Sequence, residues 1–371
     1  MGERFRTRAM VVPRALASRL RSRGAPSEPR RVLVAHNLLL GDTLMLTPLL
    51  AKLRERHGTA EVTLLASPSA APLYERRPYG VRVLPFRPAD AATTRALLAE
   101  APFDLAFVIG DNRYSWLASA MGARHVVAHG GDPRASANWL VDESHAYPGR
   151  PGSWGDLVAE LVEGPPPTPY ARGDWEAPSA RPFELPAVPY AVLHVGGSTP
   201  LKHWAAERWA ALADALTASG LSIAWSSGPG EEALVRAADP AGKYASYAGR
   251  LDLAQLWRLV AGAAVLVSPD TGVAHLGRVA WAPTLTLFGP GSATLAGPGR
   301  FWRDTSWRAV GRDPFPCRDQ QFLFRRRVEW VRRCGRTIAE CPEPRCMQAI
   351  EVGEVVAAAL ELSSTGGKIG R

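Results

Sequence analysis

The chain has 371 residues, 46% of them hydrophobic, with a formal net charge of +9 and a mean hydropathy of −0.09. That length suits two domains with substantial cores, and no apolar run approaches the roughly 18–20 residues needed to span a bilayer. The arginine-rich start lacks an apolar core and a small-residue cleavage site, which fits a secretory signal poorly, so a cytoplasmic location is expected.

The charge is uneven. Residues 1–31 hold nine arginines against Glu3 and Glu28, and residues 300–345 hold twelve against six acids. Two basic patches on a near-neutral body point to an anionic surface or acceptor, not to nucleic acid, for which no aromatic-interleaved signature is present. Residues 1–30 read as a basic, disordered tail. Alternatively, residues 10–22 form a short basic amphipathic helix lying on anionic lipid.

In chain order, a buried strand is expected over residues 31–35, with a glycine turn at Gly41 leading into a helix over 43–56. Strands over 62–66, 81–85 and 105–109 then alternate with helices over 70–75 and 91–99, which implies a parallel sheet. The pattern weakens afterwards, and the proline-rich stretch 164–189 reads as an inter-domain linker. A second alternating series has strands at 190–195, 221–226 and near Tyr244, and helices over 206–219, 230–237 and 253–261. A closing helix follows over 352–362. The expected fold class is α/β, with two Rossmann-like domains whose parallel sheets face a central cleft. Their bounds are 31–178 and 188–345, flanked by the tail and by a C-terminal helix and tail over 346–371.

Residues 263–290 (AAVLVSPDTGVAHLGRVAWAPTLTLFGP) pack a whole βαβ unit into one stretch. A strand over 264–267 ends at Asp270-Thr271-Gly272, a helix covers 273–281 with His275 about one turn in, and a strand follows over 284–288. Such a turn sits where α/β sheets bind ligands, with free N–H groups and a helix dipole that attract phosphate. It also fits an ordinary turn in which Asp or Thr caps a helix. Three further polar clusters lie at strand ends: Gly41-Asp42, the loop carrying Ser198, Thr199 and Lys202, and the Gly-Pro turn before Glu231. Taken singly, Asp42 reads equally as a cap, Lys202 as a surface lysine and Glu231 as a first-turn acid. Standard nucleotide fingerprints and a hydrolase elbow are absent. The four cysteines, Cys317, Cys334, Cys341 and Cys346, fall in one thirty-residue stretch. They suggest either a tetrathiolate structural metal site or unpaired thiols, since their spacing matches no common zinc pattern.

Together the clusters resemble glycosyltransferase family 9, the bacterial lipopolysaccharide heptosyltransferases, from about residue 31 to 362. The matching pieces are LGDTLMLTPLL (40–50), GGSTPLKHWAAERW (196–209), SGPGEE (227–232), YAGRLDLAQL (247–256) and SPDTGVAHL with LFGP (268–290), with a Cys-Met pair at 346–347. The resemblance implies a GT-B architecture, with an ADP-heptose-like donor held mainly by the second domain. It also implies a lipid-linked or oligosaccharide acceptor held mainly by the first, inversion at the sugar, and no cofactor required for catalysis. It makes Asp42 the general base, Gly41 the backbone that lets the donor approach, and Ser198 and Lys202 the donor phosphate contacts, with Thr199 among the substrate-binding residues. Glu231 takes the ribose, and Asp270, Thr271, Gly272 and His275 the sugar and diphosphate. Lys202 and the helix dipole would carry the departing charge, and closure of the two domains would assemble the site.

Two departures stand out. His36-Asn37-Leu38-Leu39 occupies the place where the family has a basic residue and a Ser-Ser pair, which opens the identity of the sugar or acceptor. The basic segment 314–345 is also longer than a minimal member needs. A family 9 enzyme using another nucleotide sugar or a non-lipopolysaccharide acceptor is therefore the alternative. A nucleotide-sugar hydrolase or epimerase and a non-catalytic binding module stand behind it. Peripheral contact with the anionic inner membrane is expected of the basic patches.

Overall fold

A computed structural model of the chain describes residues 2–19 and 24–366. It divides into two compact units, Met1–Thr168 with Phe322–Trp330 and Pro169–Gln321 with Val331–Arg371. The segment Phe322–Trp330 thus packs within the first unit, although its position in sequence groups it with the second domain.

The first unit runs α1 (Glu3–Arg19), β1 (Arg31–Ala35), α2 (Leu40–Leu44), α3 (Thr47–Arg56), β2 (Glu61–Ala66), β3 (Arg82–Pro85), α4 (Ala91–Leu98) and β4 (Leu105–Val108). It continues with α5 (Tyr114–Ala120), β5 (His125–His129), α6 (Ala135–Asn138), β6 (Glu143–His145) and α7 (Trp154–Ala159). Its six strands are all parallel in the order β3-β2-β1-β4-β5-β6. Val32, Leu33, Val34 and Ala35 of β1 are wholly buried, as a strand covered by helices on both faces requires.

The second unit runs β7 (Tyr190–His194), α8 (Ala206–Ala218), β8 (Ser222–Ser226), α9 (Glu232–Ala238), β9 (Ala245–Ser246), α10 (Leu253–Ala261) and β10 (Val265–Pro269). Then come α11 (Gly272–Val279), β11 (Thr284–Phe288), α12 (Ala293–Ala296), β12 (Trp307–Gly311), α13 (Arg345–Gln348) and α14 (Val352–Gly366). Its order, β12-β11-β10-β7-β8-β9, is again parallel throughout and has the same winding as the first. Trp209 and Trp225 anchor its core, which α14 closes with Val355, Ala358 and Ala359. Asp252 caps α10 through a capping box with Gln255. In each unit the strand order reverses beside the first strand, at β1/β4 and at β7/β10. Helices leave those neighbouring strands toward opposite faces, which opens a crevice at their carboxyl ends.

Several expectations change. The helix expected over 43–56 breaks after Leu44 and restarts at Thr47, because Pro48 lacks an N–H and suits only a first turn. Residues 71–74 form a 3-10 turn in place of an α-helix. The weakly patterned stretch after residue 109 carries β5, β6, α5 and α7. Residues 3–19 are helical where a disordered tail was expected: Val11 and Ala15 bury against α5, Arg19 pairs with Asp142, and Glu3 accepts from the first amide of α4 at Ala91. Of the helix expected over 10–22, residues 20–22 lie outside the described residues, as do 367–371 of the C-terminal tail.

Ala15 has no exposed surface, so a carboxylate there has no route to water. Ala15→Asp is expected to lower stability by about 2–4 kcal/mol, read as a fall in urea midpoint with faster proteolysis within residues 2–19. An unchanged midpoint would show that α1 is not docked.

Candidate functional site

Three loops of the second unit meet at the β7/β10 crevice. The glycine loop after β7 carries Lys202, the last residue of the short 3-10 turn Pro200–Lys202, and Thr199 Oγ1 accepts from Leu201 N at 3.4 Å to start that turn. Lys202 Nζ donates to the Asp270 backbone carbonyl and lies 3.3 Å from Asp270 Oδ2, with both side chains mostly buried. A Cβ on Gly197 would lie in ordinary contact with both Lys202 Cβ at 3.4 Å and Thr271 Cγ2 at 3.6 Å, so the two loops come together here. Ser198 stands exposed at the loop tip.

Thr271 precedes α11 with extended backbone and no side-chain cap bond, its hydroxyl 3.2 Å from Ser268 Oγ. The first-turn amides of α11 therefore have no side-chain partner from Thr271, the condition in which a helix start attracts an anion. Glu231 binds the other two loops together. Its Oε1 accepts from Gly197 N and its Oε2 from Gly228 N, each at 2.9 Å. A Cβ on Gly196 would sit 2.0 Å from Glu231 Oε2, and one on Gly291 would sit 2.2 Å from Asp270 Oδ2. Both carboxylates are seated in space that only glycine leaves free.

His275 is buried on α11, and burial, then Arg278 and Lys202, hold its pKa well below the ordinary value. Its Nδ1 accepts from Arg278 Nη2, which also donates to Ala296 O at 2.7 Å. That bond leaves the His275 proton on Nε2. Arg278 is almost wholly buried, its pKa pulled down to about 10 by desolvation, and its Nη1 has no partner. Sequence reasoning missed Arg278, although its position three residues after His275 places both on one helix face.

In the first unit, Asp42 lies half-buried in the first turn of α2, directly after Gly41. The loop before it is held by Leu38 N donating to His36 Nδ1 at 3.1 Å. Leu38 Cδ2 and Phe324 close over Gly110 at the end of β4. Arg326, buried to 4% exposure, donates to Gly110 O and Asn112 Oδ1 at 2.6 Å each and to His129 O at 3.0 Å. Its position more than 190 residues along the chain from these partners leaves no local sequence signal.

Of the two readings of the cysteines, the structural metal gains no support. All four line one cavity of about 110 Å³ with Arg336 and Glu340, but among the described residues no three His, Cys, Asp or Glu side chains are arranged to hold a metal ion. Cys341 Sγ is directed at Glu343 O at 3.6 Å. Burial pushes the Cys346 thiol up. The four are free thiols.

A family model described as glycosyltransferase family 9 (heptosyltransferase) matches residues 92–321. The chain belongs to glycosyltransferase family 9. Lipopolysaccharide heptosyltransferase 1 of Pseudomonas aeruginosa is 37% identical over 136 residues, 36% of this chain and 36% of that protein. The chain thus matches about a third of that relative's length. Among solved structures, a family 9 glycosyl transferase from Veillonella parvula aligns with a TM-score of 0.72 at 17% identity, over 93% of this chain and 100% of that one. The Escherichia coli ADP-heptose lps heptosyltransferase II aligns with a TM-score of 0.65 at 16% identity, over 91% and 99%. These likenesses establish the fold as GT-B.

Four histidines of this family 9 chain are buried: His36, His129 and His194 at or just beyond strand ends, and His275 in the first turn of α11. Desolvation lowers His36 and His129 to about 3, with Arg326 and His145 adding to it at His129, and lowers His194 to about 4. Each is therefore neutral in the folded state well below the pH at which the unfolded chain takes up a proton. Their stabilisation is complete above about pH 6.5 and is lost as pH falls toward the folded values, at about 1.4 kcal/mol per pH unit for each. Urea midpoints should hold level from pH 8 to 7 and fall steeply from pH 6 to 5. A level profile down to pH 5 would refute neutral burial.

Proposed function

We propose that the chain is an inverting glycosyltransferase that moves a heptose-like sugar from an ADP-sugar donor to a lipopolysaccharide core or related glycan acceptor. The observation that carries this reading is the junction of Lys202, Asp270 and the uncapped start of α11 at the β7/β10 crevice. A diphosphate seated there meets the Lys202 ammonium, the Ser198 and Thr199 loop and the amides at Thr271 and Gly272. Asp270 orients Lys202 and, with His275 Nε2–H, faces the sugar end. Glu231 takes the ribose by sharing the carboxylate that now spans Gly197 and Gly228. The donor base and sugar rest on the family and on the ADP-heptose named for the Escherichia coli transferase.

In the reaction, Asp42 accepts the proton of the acceptor hydroxyl as its oxygen attacks the anomeric carbon. The bond from that carbon to the β-phosphate oxygen breaks, and ADP leaves with its new charge met by Lys202 and the α11 amides. Preorganised cations and dipoles of this kind supply what a divalent ion supplies elsewhere.

The second reading, another nucleotide sugar or a non-lipopolysaccharide acceptor, is favoured by Leu38. It places an aliphatic side chain against Phe324 where the family's serine would offer a hydroxyl.

Contact with an anionic membrane completes the proposal. Phe5, Val12 and Leu16 of α1 are 57%, 37% and 51% exposed, and their spacing of seven and four residues puts them on one helical face. Arg4, Arg8 and Arg14 on the same helix are exposed. No helix among the described residues is long and apolar enough to cross a membrane.

Calorimetry should show ADP-heptose binding at least tenfold tighter than UDP-, GDP- or TDP-sugars, and a preference for another base would select the second reading. Asp42→Asn should cut kcat by about 10²–10⁴ with donor affinity unchanged; near wild-type turnover would remove Asp42 as the base. Co-sedimentation with vesicles should require an anionic lipid and weaken in Phe5→Ser/Leu16→Ser, whereas equal binding to neutral vesicles would exclude this membrane role.

A further inference from the structure

The first unit contains a buried polar constellation that none of the motifs predicts. His129, at the end of β5, stacks on Tyr147 with ring centroids 3.9 Å apart and planes 7° from parallel. Trp154, at the start of α7, packs on Phe324 at 4.9 Å. Its indole Nε1 lies close enough to Tyr147 Oη to favour loss of the phenol proton, yet the two fall short of hydrogen-bond geometry. Tyr147 Oη, Trp154 Nε1 and His129 Nδ1 are all buried without a partner. A protein rarely leaves three such atoms together unsatisfied unless water or a ligand completes them.

Several contacts place this constellation beside Asp42. Strands β1, β4 and β5 are neighbours in the sheet, so the loops leaving their carboxyl ends stand side by side. Helix α7 closes on the chain just after Asp42, where a Cβ at Gly155 would lie 2.7 Å from Met45 O. Phe324 touches the space shared by Leu38 and Gly110. Asp42 and Arg326 both act electrostatically on the Tyr147 hydroxyl, and burial foremost pushes its pKa up to about 12. The phenol is therefore a hydrogen-bond donor at any working pH. Tyr147, Asp42, Leu38 and Phe324 each keep partial exposure, so the constellation lies directly beneath the surface with its three polar atoms themselves covered.

We propose that Tyr147 and Trp154 orient the acceptor by donating to sugar oxygens next to the hydroxyl that Asp42 deprotonates, while Leu38 and Phe324 form an apolar wall against the sugar's ring face. Arg326 is a positioning residue, since its bonds to Gly110, Asn112 and His129 fasten the hairpin formed by residues 322–327 over the strand ends. The ligand class is a glycan with adjacent oxygen acceptors and one apolar ring face. The inference rests on the reading of Asp42 as the base in the first unit.

The test is titration of the ADP-saturated full chain with a panel of acceptor oligosaccharides, followed by steady-state kinetics with those that bind. Wild type should bind at least one glycan. Tyr147→Phe should weaken that binding tenfold or more and raise acceptor KM in parallel, with ADP affinity within twofold of wild type as the control for folding. Phe324→Leu should change the ranking of acceptors with less than a twofold change in ADP affinity. Glycan affinity unchanged in Tyr147→Phe would overturn the proposal, as would a wild type that binds no glycan. Full turnover by Asp42→Asn would instead overturn the base assignment, and the binding result for Tyr147→Phe would still decide the role of the tyrosine.

Discussion

Every feature of the two candidate half-sites depends on one constraint of parallel sheets. When strand order reverses beside the first strand, the chain must leave two adjacent strands for helices on opposite faces, and their carboxyl ends are left uncovered. This happens at β1/β4 and again at β7/β10. Asp42 follows β1, and Gly110 follows β4. The Lys202 loop follows β7, and Asp270 follows β10. The polar residues are thus gathered by the winding, although they are far apart in sequence.

Within that crevice, geometry is set by where Cβ atoms are absent. Glu231 reaches both glycine loops only because Gly196 and Gly228 leave room for its oxygens, and Asp270 is seated beside Gly291 for the same reason. A half-buried carboxylate that accepts two amide N–H bonds is fixed in orientation. Asp270 in turn holds Lys202 through both its carboxylate and its backbone carbonyl. Arg278 adds positive charge below, and its bond to His275 fixes that ring's tautomer. Alanine at any of these glycines would disturb several loops at once.

How much of this the sequence revealed follows from the distance between partners. The donor-side residues come from loops that each follow a strong apolar strand, so pattern and motif located Lys202, Glu231, Asp270 and His275 together. Glu231 was read as a ribose contact, and its role in tying two loops together depends on atoms that sequence does not place. The continuous helix over 43–56 failed because Pro48 outweighed an otherwise helical run. The tail was read as disordered on arginine content alone, whereas the small buried surface at Val11 and Ala15 suffices to dock a helix whose acid and arginine find partners on neighbouring elements. The cysteine cluster is dense in sequence and its four members do line one cavity, but among the described residues they are not arranged to hold a metal ion.

The acceptor side was less legible for a physical reason. Its wall is built from segments separated by nearly the whole chain: Leu38 after the first strand, Tyr147 and Trp154 beyond the sixth, and Phe324 with Arg326 from a late hairpin. Each alone reads as an ordinary core or surface residue. They become a site only through one another, because Leu38 in place of a hydroxyl removes a polar contact and Phe324 covers the aliphatic surface that results. The local, motif-borne half therefore reads as donor chemistry common to the family. The non-local half is where this chain has its own shape, and the proposed choice of glycan rests there.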